Sequence, residues 1–318
     1  MKLSKKDAEK IVENYDLGKL IDFKLNPGGA VNYNFDFKTS SGEYIVKLLS
    51  CKYNDSNKKK LEFEFKFLEF LEKNKFPYYF PNPIKSKNER VLLNLGSSFL
   101  WVYRKIPGEV IYNFNKINEI AKVLSKFHII SKKFKVPKNL KYSYVDDLII
   151  KYSKIKERIS KISNPSRVDN LVISNYNLFE SALYRIKEMN YTENLIITHS
   201  DFGNHNLLFE NGKVKAILDF ENLSLNPRVK EVAYAIKRLC FVDNKLDKRK
   251  MNLFLKEYEK TIKLTNKEKE FILPMMILDS CNVFYWVYME MKKNPSKRYF
   301  FLNKCINTMK YLVNEMKI

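Results

Sequence analysis

Between His199 and Glu221 the chain carries a dense polar run that a short hairpin must fold back on itself. His199–Ser200–Asp201–Phe202–Gly203–Asn204–His205–Asn206 is followed, thirteen residues after Asn206, by Asp219–Phe220–Glu221. Leu207–Phe209 spells a short strand, Asn211–Gly212 is the two-residue signature of a type I′ turn, and Val214–Leu218 is the returning strand. Centring the hairpin on Asn211–Gly212 places Leu207 opposite Ala216 and Asn206 opposite Ile217. Asn206 and Asp219 then leave its open end together, with Asp201 on the loop just before it. Taken singly, Asp and Asn at such places are ordinary cap or turn formers. Together, an acid, an amide and a second acid suit a Mg²⁺-dependent phosphoryl transfer. Magnesium prefers a few oxygen ligands plus substrate phosphate, and the remaining carboxylate can take the proton of an attacking hydroxyl.

At 318 residues the chain is long enough for two lobes with separate cores. The N-terminal MKLSKKDAEK is basic but leads into no apolar stretch, so a signal peptide is not expected. Phe271–Met291 is the most apolar segment. Pro274, Asp279 and Asn282 interrupt it, so it is expected to be a core helix rather than a membrane span. The four cysteines, Cys51, Cys240, Cys281 and Cys305, lie far apart with no C-x-x-C. That spacing argues against a disulfide framework or zinc site and fits a reducing cytoplasm. The net charge is +22, yet the lysines are spread along the chain. Spread charge is ordinarily solvated surface, so neither a nucleic-acid nor a membrane partner is expected from it. At long range it would repel a polycationic small molecule.

The first hundred residues are strand-rich with one helix. Leu20–Leu25 is a strand. Val31, Tyr33, Phe35 and Phe37 alternate with polar residues at the period of a half-buried strand. Ser40–Ser41–Gly42 is a turn before the strand Glu43–Leu49. Asn57–Asn74 is helical, and the Pro-rich loop Pro77–Pro83 ends it. Val91–Leu95 and Ser98–Tyr103 form another strand pair around Gly96, and Ile106–Pro107–Gly108 breaks the pattern. Thereafter helical periods dominate apart from the hairpin at 207–218. The expected division is a lobe of residues 1–105 and a lobe of residues 106–318.

Gly28–Gly29 is either an ordinary turn or a place where backbone approaches phosphate closely. Lys47 lies mid-strand among apolar neighbours, where an unpaired ammonium is costly. Glu64 shares a helical stripe with Leu61, Leu68 and Leu71, whereas Glu62 falls on the wet face. Lys47 and Glu64 are therefore expected to pair. His128 ends an amphipathic stripe and is expected to be a hydrogen-bonded core histidine. His199 is expected to be structural rather than the base. The three histidines are too scattered for a histidine metal site.

In spacing, H-x-D-x-x-x-x-N followed by D-F-E matches the catalytic loop of protein kinases, which carry D-F-G at the second position. With Asn26–Asn32, Lys47, Glu64, Phe99–Glu109 and Ala121–His128, the chain resembles the aminoglycoside phosphotransferase and choline kinase-like superfamily. The matching segments run from residue 20 to about residue 240. The resemblance implies an α+β, bilobal, protein-kinase-like fold: an N-terminal antiparallel sheet lobe with one main helix, and a larger, mostly helical C-terminal lobe. It implies transfer of a γ-phosphoryl group from ATP or GTP, with Mg²⁺, to the hydroxyl of an amino alcohol, sugar-like metabolite or antibiotic.

By the same resemblance Asp201 would be the catalytic base, and Asn206 and Asp219 would hold the metal. Gly28, Gly29, Asn32, Lys47 and Glu64 would serve the nucleotide phosphates, and the backbone from Arg104 to Ile106 the purine. Ser200 stands where the family usually has glycine. Glu231 stands where it usually has the Asp that braces the loop. A catalytically inactive scaffold, for example in a spore coat, is the alternative. The retained Lys47, Asp201, Asn206 and Asp219 speak against it. A nucleic-acid-binding protein is suggested by charge alone, and salt dependence would test it.

Overall fold

The structure, a computed structural model, describes residues 3–26, 32–50, 55–95, 98–111, 116–291 and 294–317. Gly28, Gly29, Cys51 and Gly96 lie outside the described residues. In chain order come α1 (Lys5–Asn14), β1 (Leu20–Asn26), β2 (Tyr33–Thr39), β3 (Gly42–Leu48), α2 (Asp55–Lys73), β4 (Leu93–Leu95) and β5 (Ser98–Arg104). Then follow α3 (Ile117–Ser131), α4 (Tyr144–Ser160), α5 (Arg167–Glu188), β6 (Leu195–Thr198), β7 (Leu207–Glu210), β8 (Lys213–Ile217) and β9 (Ser224–Pro227). The remainder is α6 (Arg228–Cys240), β10 (Phe241–Val242), β11 (Lys245–Leu246), α7 (Lys248–Tyr258), α8 (Asn266–Glu270), α9 (Ile272–Tyr285) and α10 (Pro295–Met316). Two compact units result: Met1–Asn113 with Asn204–Asn222, and Phe114–Gly203 with Leu223–Ile318. No single cut in the chain produces this division, because the hairpin packs with the first unit.

The first unit is built on an antiparallel sheet of order β1-β2-β3-β5-β4. Tyr44, Val46 and Leu48 alternate onto one face of β3 and pack with Phe35, Phe37, Leu100 and Val102 against Ala8, Ile11 and Val12 of α1. The sequence reading did not include α1. Its signal is a capping box: Asp7 N donates to Ser4 Oγ at 3.1 Å and Ser4 N donates to Asp7 Oδ2 at 3.3 Å.

β7 and β8 form the expected hairpin, with Asn211 at φ +52° and Gly212 at φ +69°, as a type I′ turn requires. Its register differs from the expected one. A bulge between Leu208 and Phe209 pairs Leu207 with Ile217 and Leu208 with Ala216. Main-chain bonds on the hairpin's flanks accompany the extra residue. Tyr79 N donates to Lys215 O and Ile217 N to Tyr79 O, both at 3.0 Å, while Glu109 and Phe209 exchange a pair at 3.0 and 2.8 Å.

In the second unit α3 packs on α7, α6 on α9, and α10 on α9 and α5. The segment Ile272–Glu290 is long and apolar enough to cross a membrane, but 72% of its most apolar stretch is buried inside the protein, as a core helix would be. The sequence reading missed two short pairings, β6 with β9 and β10 with β11. Cys240, Cys281 and Cys305 are buried and free.

Candidate active site

Lys47 lies on β3 between Asn34 of β2 and Trp101 of β5, and is buried. Its Nζ donates to Asp219 Oδ1 at 2.9 Å and lies 3.2 Å from Glu221 Oε2. Burial opposes the ammonium charge, but Asp219, Glu221 and Glu64 overcome that and hold its pKa above the usual lysine range. Glu64 occupies the buried face of α2, whereas Glu62 is exposed and pairs with Lys58 at 3.8 Å.

The expected direct pair of Lys47 and Glu64 is not formed. Among the described residues Glu64 makes no ion pair, and the nearer carboxylates of Asp219 and Glu221 take the ammonium. Burial, above all, pushes the Glu64 carboxyl up to about 7. Lys47 opposes the rise, while Glu221 and Asp219 add to it.

Asn206 closes a single tight turn, Asn204–Asn206, and is nearly buried. Leu218 N donates to its carbonyl at 2.8 Å, so the hairpin's open end sets Asn206 opposite Leu218, beside Asp219. Asp219 takes φ +61°, a left-handed conformation that Asp tolerates better than most residues. Glu221, which sequence reasoning left unassigned, joins the charged cluster around Lys47. Asn32 Nδ2 donates to its Oε2 at 2.6 Å, while Ser50 N donates to Asn32 Oδ1 at 3.1 Å. A charged residue in place of a glycine was the available signal. The oxygen donors of Asn206 and Asp219, on one hairpin end, have the chemistry a hard cation takes.

At the expected purine-binding segment, the Arg104 guanidinium stacks 5.5 Å from the Tyr44 ring and Lys105 N donates to Glu43 O at 3.0 Å. Among the described residues the Ile106 amide makes no backbone hydrogen bond. Gly108 sits at φ +129°, and a Cβ there would lie 3.1 Å from Leu208 Cβ and from Phe209 O.

Asp201 belongs to the second unit. The residue before it, Ser200, has φ +65°, which explains why glycine is usual there. Ser200 is pinned through N to Glu231 Oε1 at 2.6 Å, and through Oγ to Thr198 Oγ1 at 2.8 Å and Ser224 Oγ at 2.7 Å. Glu231 Oε2 also accepts from His199 N at 3.2 Å and from His128 Nε2 at 2.9 Å. The longer glutamate therefore braces the loop as the aspartate would.

Burial opposes the Glu231 charge, but His128, His199 and the Ser200 amide outweigh it and hold the carboxyl below its usual range. His128 is the expected core histidine. Burial pushes its pKa down, and Nδ1 accepts from the Tyr258 hydroxyl at 2.7 Å while Nε2–H serves Glu231. Asp201 N donates to His199 Nδ1 at 3.3 Å, a structural role for that ring. The Asp201 carboxylate accepts from Arg238 Nη2 at 2.9 Å, and Arg238 Nη1 also donates to Phe202 O at 3.3 Å. Sequence reasoning missed Arg238. It lies two helical turns after Glu231 on α6, on the same face.

The model of the phosphotransferase enzyme family matches residues 22–260. The chain belongs to that family. A homoserine kinase of Methylobacillus flagellatus is 22% identical over 262 residues, covering 81% of this chain and 76% of the relative. A spectinomycin phosphotransferase solved with ADP and spectinomycin superposes with a TM-score of 0.73 at 13% identity, covering 100% of both chains. A microcompartment-associated aminopropanol kinase does so with a TM-score of 0.72 at 11% identity, covering 98% of this chain and 99% of that one. This phosphotransferase therefore has the protein-kinase-like fold and is of the small-molecule kinase type.

Proposed function

We propose that this phosphotransferase moves the γ-phosphoryl group of ATP or GTP to a hydroxyl of a small molecule, with Mg²⁺. The observation that carries the reading is the buried Lys47 held by Asp219 and Glu221, in a chain matched to the family over residues 22–260. Lys47 would meet the nucleotide phosphates, and Asn206 and Asp219 would hold the metal. Gly28, Gly29 and Asn32 would border the phosphates, Glu64 would hold the lysine field in balance, and the Arg104–Ile106 backbone would meet the purine. Bound Mg²⁺ would neutralise phosphate charge and leave catalysis largely a matter of positioning. Asp201 takes the proton of the acceptor hydroxyl. The acceptor oxygen bonds to the γ-phosphorus as the bond to the β–γ bridging oxygen breaks, and that oxygen leaves with the nucleoside diphosphate. No covalent enzyme intermediate is needed.

In this reading residues 1–105 meet most of the nucleotide, and residues 106–318 supply the metal ligands Asn206 and Asp219, the base and the acceptor site, in the cytoplasm. The acceptor is an amino alcohol, a sugar-like metabolite or an antibiotic. The homoserine kinase and aminopropanol kinase relatives favour small amine-bearing alcohols. Thermal unfolding tests the core of the proposal. ATP or GTP with Mg²⁺ at roughly a hundredfold above Kd should stabilise the fold by about 2.7 kcal/mol, a rise of a few degrees in Tm. No shift at millimolar Mg-nucleotide, with the protein shown to be folded, would remove the reading.

A further inference from the structure

Lys230 is a buried lysine that the phosphoryl-transfer chemistry leaves unused. It lies on α6 directly before Glu231, the residue that braces the loop. Its Nζ donates to Asn226 Oδ1 of β9 at 2.9 Å, and sits 3.6 Å from the centre of the Tyr144 ring and 5.2 Å from that of Tyr234. Among the described residues it makes no ion pair. A buried ammonium without a paired carboxylate is costly. Ring faces recover only part of that cost, so packing alone does not account for a lysine here.

The Asn226 amide gives the charge a use. An ammonium has three donors and no acceptor, so only the amide oxygen can face it. The amide nitrogen is thereby turned the other way, where it donates to Thr198 Oγ1 and Ser224 Oγ, each at 2.8 Å. The hydroxyl protons then run in one direction. Thr198 Oγ1 donates to Ser224 O at 3.1 Å. That leaves Ser200 Oγ to donate to Thr198 Oγ1 at 2.8 Å, and Ser224 Oγ to donate to Ser200 Oγ at 2.7 Å. Ser200 is the residue at φ +65° immediately before Asp201, a conformation that a side chain disfavours and that surrounding bonds must impose. All of these residues belong to the second unit.

Resting on the phosphotransferase reading above, we propose that Lys230 is a positioning residue for Asp201: its ammonium fixes the Asn226 amide, and through Ser224, Thr198 and Ser200 the amide sets the backbone that carries the base. The charge itself matters. A neutral amine has a lone pair that accepts from an amide N–H, so it no longer dictates which way the amide turns. Burial, above all, pushes the Lys230 ammonium down to about 7. Glu231 of α6 and Asp279 of α9, itself paired with Lys237, oppose the fall, and Lys151 of α4 adds to it. Tyr144 and Tyr234 stay neutral, because burial raises both phenols. Below about pH 7 Lys230 is charged and the loop is fixed; above it the hold loosens.

The test reads ADP release from Mg-ATP by the full chain, with water as the acceptor, between about pH 6 and pH 9. Wild-type kcat should fall several-fold as pH rises through about 7. Glu64 changes charge in the same range, and comparison with Ser200→Gly cancels its contribution. Glycine takes φ +65° unaided, so Ser200→Gly should lose the part of the fall that depends on Lys230. At about pH 6, Lys230→Met should lower kcat roughly tenfold with KM for Mg-ATP within about twofold, as lost positioning of the base requires. Adding Ser200→Gly to Lys230→Met should restore most of that loss, which a lysine needed only for packing would not allow. Identical pH profiles in wild type and Ser200→Gly would overturn the inference, and this comparison stands even where Lys230→Met does not fold. A folded Lys230→Met that keeps full kcat, or that Ser200→Gly does not rescue, would overturn it as well. Absence of Mg-ATP binding by wild type, read by thermal shift, would instead overturn the phosphotransferase reading, and this inference with it.

Discussion

Asp201 and Asp219 stand in one polar run but are held by different partners, Asp201 by Arg238 and Asp219 by Lys47. Their substitutions should separate accordingly. Asp201→Asn should cut phosphotransfer by roughly 10²–10⁴-fold while Mg-nucleotide affinity stays near normal, since it removes acid–base help alone. Asp219→Asn should weaken metal-nucleotide binding as well as turnover, because a hard cation loses a charged ligand. Equal losses of nucleotide affinity in the two variants would refute the division of roles.

Glu64 makes a second prediction. Its folded value of about 7 lies above the ordinary 4.5, so between those pH values the folded chain keeps a proton that the unfolded chain releases. Stability therefore falls as pH rises through that window, by on the order of 3 kcal/mol, and the loss is complete above about pH 7. Glu64→Gln cannot release a proton, so urea midpoints at pH 5 and pH 8 should shift in its favour at the higher pH. A pH-independent difference between the two proteins would show that the carboxyl is not raised. Lys47, Asp201, Asn206 and Asp219 were legible in the sequence because each sits in a local pattern. Glu221 and Arg238 were not, because their partners, Lys47 and Asp201, are brought to them only by tertiary folding.

The β7–β8 hairpin shows what element-scale reading reaches. Asn211–Gly212 announces the turn, and the alternating residues announce the strands. The register could not be read, because the bulge lies where Tyr79 and Glu109, distant in sequence, pair with the hairpin. β6, β9, β10 and β11 are two to four residues long, too short to display a period of two. α1 was readable from Ser4 and Asp7, but propensity alone did not mark it.

Gly108 gives the hairpin its own test. With φ +129° and a methyl group brought to 3.1 Å from Leu208 Cβ and Phe209 O, Gly108→Ala must strain the backbone and press β7 outward by a few tenths of an ångström. A cost of about 1–3 kcal/mol is expected. Turnover should fall by more than the folded fraction does, because β7 follows directly on Asn206 and a small displacement of positioned groups is costly. Unchanged melting temperature and kcat would show that the contact between Gly108 and the hairpin does not matter.

At the scale of the whole molecule, the net charge of +22 invites a polyanion-binding function, yet its distribution argues otherwise. Many lysines are committed to surface pairs, such as Lys73 with Glu69 at 2.7 Å and Lys85 with Glu89 at 2.9 Å. Surface pairs of this kind contribute little to stability. They do break up the positive field into short-range patches. The field should still attract duplex DNA or heparin at low ionic strength, through counterion release and without regard to sequence. Raising salt from about 50 to 200 mM should then weaken such binding by ~10³-fold or more if several phosphates are engaged. Mg-nucleotide binding should change far less, because buried or partly buried charges such as Lys47 are screened little. Fluorescence anisotropy on labelled DNA, run beside nucleotide titrations in the same buffers, would separate the two. DNA binding that survives 200 mM salt with a clear sequence preference would make the surface charge a recognition device in its own right. Collapse of both affinities together would instead place the nucleotide on the exposed surface, away from Lys47.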